Sequence, residues 1–301
     1  MHIPDGFLST PVWLSLGAAS AATVGALARR AQRETDESRI PLLGVMGAFV
    51  FAAQMINFPV APGTSGHLVG GVLLAVTLGP AAAVMVMTAV LVIQALLFQD
   101  GGVLALGANV FNMAVAGVLA GYLPYALWGS GRRRAPAIAA GGVLSVLVSA
   151  TLALAELAIS GIPIPTPILW ASMSLFLVNG ILEGLITVAV LRGLERLAGG
   201  SVPAPSRRGV SGVALVAACA TLLVAGGVLI ASQAPDVLER LAERAGIADR
   251  ARAILSTPLA DYQIRGWDLP WLSQVGAGLA GLALIYLLSS ALARLLRRRS
   301  R

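Results

Sequence analysis

From Ile40 to Gln99 the chain carries no Asp, Glu, Lys or Arg. A membrane span needs ~20 predominantly apolar residues, so this run alone holds two to three transmembrane helices. The rest of the composition agrees: 57% of the 301 residues are hydrophobic and 12% charged. Mean hydropathy is +0.84. Soluble domains carry roughly 25% charged residues. The expected fold class is therefore all-α, a polytopic integral membrane protein.

Apolar runs and their breaks predict nine spans. They cover Pro11–Ala28, Pro41–Asn57, Leu68–Leu78, a segment from the Gly79-Pro80 break to Phe98, Val103–Leu127, Ala135–Ile159, Ile168–Leu191, Val210–Ala231 and Leu272–Leu295. The chain has no Lys, so its formal charge of +7 rests on arginines alone. Cytoplasmic loops collect positive residues. With the amino terminus outside, three inner loops take Arg29, Arg30, Arg33 and Arg39, then Arg132 to Arg134, then Arg192, Arg196, Arg207 and Arg208; the inner tail takes Arg294, Arg297 to Arg299 and Arg301. Only Arg240, Arg244, Arg250, Arg252 and Arg265 fall outside, on one long segment where the rule is weak. The basic charge is thus a topology signal, and nucleic acid is not expected as a partner; membrane lipid is. The location expected is the cytoplasmic membrane of a bacterium or archaeon, with the carboxyl terminus inside.

The same topology puts both histidines on the outer side, His2 in Met1-His2-Ile3-Pro4-Asp5-Gly6 and His67 after Gly63-Thr64-Ser65-Gly66. The terminus lacks the basic region of a cleavable signal. The large His2 side chain disfavours removal of Met1, so a free amine is expected. The Met1 amine, the His2 amide and imidazole and the His67 imidazole make four nitrogen donors, and four nitrogens in a plane suit Ni(II), Cu(II) or low-spin Co. The competing reading is a solvated terminal His and an unrelated loop His. Pro4, Asp5 and Gly6 form a turn that could return the terminus into the protein.

Within the spans, Gln54, Asn57, Gln94, Asn109, Asn112, Asn179 and Glu183 stand out among apolar residues. Such groups face the bundle and serve either as helix glue or as part of a site. Asn109, Asn112 and Glu183 are candidates for a supporting role beneath a metal. Small residues spaced by four, at Gly44, Ala48 and Ala52 and at Ala18, Ala22 and Ala26, allow close helix approach, either internally or against another membrane subunit. The lone Cys219 lies in an apolar run and has no partner for an internal disulfide. Without Lys there is no Walker A lysine, so an ATP-driven step needs another subunit. No HExxH, Gly-x-Ser-x-Gly or CxxC motif occurs, and no enzyme activity is expected.

Met1–Gly6, the stretch Gly66-His67-Leu68-Val69-Gly70-Gly71, the Asn-containing segment Ala105–Met113 and Asn179–Gly184 resemble the CbiM/NikM family, over about Met1–Ala198. Those proteins are the substrate-capturing membrane subunits of cobalt and nickel energy-coupling factor transporters. The resemblance implies a seven-helix metal-binding domain over 1–198 whose ligands are Met1, His2 and His67. It implies Co2+ or Ni2+ as transported substrate with no cofactor, and Gly44, Ala48 and Ala52 as a docking surface. It implies as partners a coupling subunit of the CbiQ/NikQ type and ATPases of the CbiO/NikO type.

Gly199–Ser206 reads as a linker, taken as 199–209 on the cytoplasmic side. Region 210–301, two spans around an extracytoplasmic segment 232–271, is similar to the small N component of the PDGLE type, with Val237 where that signature has Gly. Pro235–Leu255 is expected to form an amphipathic helix, with Val237, Leu238, Leu241, Ala245 and Ile254 on its apolar side. The implied role of this region is to help load metal. An organic-cofactor transporter of the same architecture is the main rival, although only 5% of residues are aromatic. A membrane protease would need a catalytic constellation that the sequence lacks, and a scaffold would leave Glu183 and the amino-terminal motif unexplained.

Overall fold

The computed structural model describes residues 1–34, 36–197 and 209–298. Apart from Gly209, the expected linker lies outside them, as do Arg207, Arg208, Arg299 and Arg301. Eleven α-helical elements and one small hairpin make up the described chain. In order they are α1 (Thr10–Glu34), α2 (Ile40–Gln54), β1 (Phe58–Ala61), β2 (Thr64–Gly66), α3 (Gly71–Leu78), α4 (Pro80–Ile93), α5 (Leu106–Asn109), α6 (Val118–Trp128), α7 (Arg134–Ile159), α8 (Thr166–Leu197), α9 (Gly209–Ile230), α10 (Val237–Arg244) and α11 (Pro270–Arg298). π-Helical stretches at Gln94–Phe98 and Val110–Gly117 extend α4 and join α5 to α6.

Every predicted apolar run contains a helix, but only seven of the described helices are long and apolar enough to cross a membrane. The two exceptions are α2 and α3, with 15 and 8 residues. At 1.5 Å per residue they reach about 22 and 12 Å, short of the ~30 Å hydrocarbon core. Both are apolar nearly all round and lie inside the bundle, as a helix without a polar face must. Three non-helical residues, Leu68 to Gly70, precede α3, and all three are buried. Non-helical backbone at such depth is tolerated only where protein groups satisfy it. Glu183 on α8 supplies the acceptors: its carboxylate takes the N–H of Val69 at 2.6 Å and of Gly70 at 2.9 Å. Gln54 at the end of α2 donates to the Val69 carbonyl at 2.7 Å.

The pair α7–α8 is the most extensive helix contact. A Cβ on Gly142 would meet the backbone of Gly184 and Glu183, one on Gly184 the backbone of Ala139, and one on Gly180 that of Val143. Gly180 and Gly184 are the small-xxx-small spacing that brings membrane helices into backbone contact, and this crossing fixes where Glu183 sits. In the π-helical stretch before α6, Asn112 leaves its carbonyl for the Ser149 hydroxyl of α7 at 2.8 Å.

The two small-residue stripes have different fates. Gly44, Ala48 and Ala52 are buried, and a Cβ on Gly44 would strike Tyr286 and Ser290 of α11. The close approach expected for another subunit is therefore made by this chain's own last helix. Ala18, Ala22 and Ala26 of α1 are exposed.

The expected Pro235–Leu255 helix is shorter than its pattern. Asp236 and Glu239 form a capping box that starts α10 at Val237. Gly246, at φ +68, ends it, and Ile254, expected on the apolar side, is exposed. Val237, Leu238, Leu241 and Ala242 are buried as an apolar stripe should be.

Replacing Gly184 with Leu forces α7 and α8 apart. The expected cost is about 2 kcal/mol or more, read as a lower thermal unfolding midpoint in detergent, whereas the same change at Gly193, whose Cβ would meet nothing, leaves the midpoint in place.

Candidate metal site at the amino terminus

The first eight residues form a coil in which Met1, Ile3, Asp5 and Phe7 are buried. Met1 is 5% exposed and Ile3 is fully buried, so the terminus is not a solvated tail. Its fixings are specific. Asp5 accepts the backbone N–H groups of Val103 (2.8 Å), Leu104 (2.8 Å) and Ala105 (3.1 Å), at the start of α5. A carboxylate is favoured there by the unpaired amides and the helix dipole. Asn109 of α5 accepts the Ile3 N–H at 2.8 Å and donates to the Ile3 carbonyl at 3.0 Å. Gly102 N–H donates to the same carbonyl at 2.9 Å.

These bonds place Met1 and His2 against His67. The Met1 nitrogen lies 3.1 Å from His67 Nε2. The His2 and His67 rings are parallel within 3°, with centroids 5.5 Å apart. His67 Nδ1 is 3.1 Å from the Leu68 carbonyl. A carbonyl only accepts, so Nδ1 carries the proton and the neutral ring turns its Nε2 lone pair to the Met1 amine. His2 Nδ1 is 2.9 Å from Asp100 Oδ1, and its Nε2 is buried with no partner. The Met1 amine also forms an ion pair with Asp236, the N-cap residue of α10.

The supporting residues expected from sequence divide. Asn109 holds Ile3 and Glu183 holds Val69 and Gly70, each within three residues of a histidine. Asn112 does not reach the site; it donates to Glu156 of α7 at 2.9 Å. Asn179 donates to the His67 carbonyl at 3.5 Å. Three residues of the cluster carry no expectation from sequence: Asp100, Asp236 and Tyr262. Asp100 had a signal, since it is the first charge after the uncharged run.

The carboxy-terminal segment closes over this cluster. Ser65 of β2 donates to the Pro235 carbonyl at 2.9 Å and, by its hydroxyl, to that of Ala234 at 2.7 Å. Arg240 donates to the Gly63 carbonyl. A cavity of about 740 Å³ remains between the segment and the amino-terminal helices, and His2, His67, Asp100, Asp236, Glu239 and Tyr262 line it.

The electrostatics follow from burial and pairing. Burial pushes His67 down to about 4, and the neighbouring Met1 ammonium and His2 add to the effect. Burial alone would raise Asp236, but the Met1 ammonium, with His67, outweighs it and holds the carboxyl below its usual range. Asp100 behaves alike: burial opposes ionisation, and His2 with the Tyr262 hydroxyl more than offsets it.

Among the described residues no group of three or more His, Cys, Asp and Glu side chains could hold a metal ion. A metal site here has to draw on main-chain nitrogen. Two nitrogens each about 2 Å from one ion, at adjacent corners of a square, lie about 2.8 Å apart. The 3.1 Å between Met1 N and His67 Nε2 is close to that separation.

Fold and site define a class: a multi-pass helical membrane protein whose first residues form a buried, nitrogen-rich centre under a segment from its own carboxy-terminal region. The chain belongs to the family whose model is described as the cobalt uptake substrate-specific transmembrane region, which matches residues 2–199. A PDGLE domain model matches residues 211–298. A putative fused nickel transport protein, NikMN, of Archaeoglobus fulgidus is 33% identical over 302 residues, 98% of each chain. A putative metal transport protein of Haloquadratum walsbyi is 52% identical over 122 residues, 40% of this chain and 56% of that one. The crystal structure of a transition metal transporter, 34% identical, superposes with a TM-score of 0.59 over 67% of this chain and 96% of that one. The protein is thus a membrane component of cobalt or nickel transport.

Because His67 is buried neutral, the unfolded chain binds a proton that the folded chain refuses between pH 6.5 and about 4. Stability falls as pH drops through that window, by up to about 3 kcal/mol. Unfolding of the wild type and of His67→Gln, compared at pH 7.5 and pH 4.5, checks this: the gap between them should shrink at the lower pH.

Proposed function

We propose that the chain captures one Co(II) or Ni(II) ion on the outer face of a bacterial or archaeal cytoplasmic membrane, through the Met1 amine, the His2 amide and imidazole, and the His67 imidazole. The observation that carries this reading is the 3.1 Å approach of the Met1 nitrogen to His67 Nε2 beside the parallel His2 ring. A six-membered chelate through the His2 amide uses Nδ1, the atom bonded to Asp100. A half-turn about Cβ–Cγ exchanges Nδ1 with Cδ2 and Nε2 with Cε1. Nδ1 then serves the ion and the Nε2 edge turns to the carboxylate. The amine and the amide shed protons on binding, so capture releases protons and strengthens with pH.

In this reading residues 1–198 hold the ion, 199–209 link on the cytoplasmic side, and 210–301 support loading. The protein delivers the ion inward with a coupling subunit and ATPases of an energy-coupling factor system, since it carries no Walker A lysine of its own. The exposed Ala18, Ala22 and Ala26 face of α1 offers the coupling subunit a close approach.

His2→Ala or His67→Ala should reduce nickel and cobalt affinity by at least a hundredfold in calorimetric titration while the variants still fold; wild-type affinity in both would sink the assignment. One residue added before Met1 displaces the amine, and the extended protein should lose binding as fully as His67→Ala does. Retained metal uptake by that protein would remove the amine from the ligand set.

A further inference from the structure

We infer that Tyr262, a residue of the carboxy-terminal segment, is a positioning residue for the metal ligands and acts on His2 through Asp100. The inference rests on the ligand assignment proposed above. Its hydroxyl donates to Asp100 Oδ2 at 2.5 Å, and Asp100 Oδ1 takes His2 Nδ1 at 2.9 Å. A phenol has one proton to give, so the bond to Asp100 fixes the rest of the pattern. Gln94 donates to the Tyr262 oxygen at 3.1 Å and to Gln54 Oε1 at 2.8 Å. Gln54 in turn donates to the carbonyl of Val69, two residues past His67, at 2.7 Å. One chain of hydrogen bonds therefore runs from a side chain of the carboxy-terminal segment to His2 on one side and to the His67 loop on the other. Gln94 is fully buried and Gln54 is 5% exposed, so water does not compete along the glutamine half of this route, whereas Asp100 and Tyr262 face the cavity.

The backbone under Tyr262 shows that the insertion is enforced. Asp261 and Tyr262 have φ of +55 and +58, a region that residues with a Cβ seldom enter. Two such residues in succession persist only where tertiary contacts over-determine them. Those contacts are visible: the Tyr262 ring stacks on Phe98 with centroids 4.8 Å apart and planes 16° apart, and meets Phe51 at 5.9 Å. The π-helical stretch Gln94–Phe98 carries both Gln94 and Phe98, and Asp100 follows it, its N–H donating to the Gln94 carbonyl at 3.0 Å. The ring and the hydroxyl thus read two consecutive features of one loop. After the half-turn of His2 proposed above, its Nε2 edge faces Asp100; a carboxylate behind a ligating imidazole fixes the ring's orientation, and its loss costs about tenfold to a hundredfold in metal affinity. Tyr262 extends that support by one residue and places it under the control of the carboxy-terminal region.

The test uses the full chain in detergent and nickel as the probe, followed by calorimetry and by the visible d–d absorption of the bound ion. Tyr262→Phe keeps the ring stack and removes only the hydroxyl. It should weaken nickel binding about tenfold and shift the d–d band, while the unfolding midpoint without metal moves by no more than about 2 °C. The double variant Tyr262→Phe/Asp100→Asn should bind no more weakly than Asp100→Asn alone, because both changes cut one relay. Unchanged or tighter nickel binding by Tyr262→Phe, or additive losses in the double variant, would overturn the inference. Tyr262→Met, judged by the same criteria, replaces Tyr262→Phe if the latter fails to fold. His67→Ala separates the two levels of the argument. If it binds nickel like the wild type, the ligand assignment fails; if it abolishes binding and Tyr262→Phe does not weaken it, only the role of Tyr262 fails.

Discussion

A charged amine cannot be buried alone, and the structure is organised around that constraint. Met1 is 5% exposed, so its ammonium has to find partners inside the protein. It finds two, from opposite ends of the chain: His67 beyond the second helix, and Asp236 at the cap of α10. Each partner is itself held. Asp236 caps α10, and the segment before it bonds to β2. His67 opens a non-helical stretch in which Glu183 takes up the N–H groups of Val69 and Gly70. Asp5 and Asn109 keep the terminus from leaving.

The same economy explains the short helices. A full-length α3 would carry its backbone bonds internally, but it would move His67 into a helix turn and away from the terminus. Non-helical chain puts His67 next to Met1 and leaves amides without helix partners inside the bundle. Glu183 answers those amides, and the glycine crossing of α7 and α8 delivers Glu183 to that depth. The intramembrane acid singled out in the sequence is therefore an acceptor for main chain, one step removed from the cluster it supports.

The carboxy-terminal region is built into this arrangement. α11 covers the Gly44 face of α2, and Tyr262 reaches between Phe51 and Phe98. These are contacts of close packing, with a backbone strained into place at Asp261 and Tyr262. The carboxy-terminal region thus shares a core with the rest of the described chain, and its side chains bear on the first two residues.

Much of this was legible in the residues themselves. Uncharged runs fixed where the helices lie, because lipid excludes charge. The arginine distribution led to the expectation that both histidines lie on one side, and the structure brings their rings together. Helix lengths were less legible: hydropathy says that α2 and α3 avoid water, but it cannot tell lipid from protein as the solvent they prefer. For the same reason the Gly44 stripe could be read as a face without its partner being known. Asp100, Asp236 and Tyr262 stand 98, 234 and 260 positions from His2 by simple subtraction. No local pattern relates residues so far apart. Only the packing of α2 against α11, and the closure of the outer segment over the terminus, bring them together, because a carboxylate or a phenol acquires its role from what the fold places within hydrogen-bond reach.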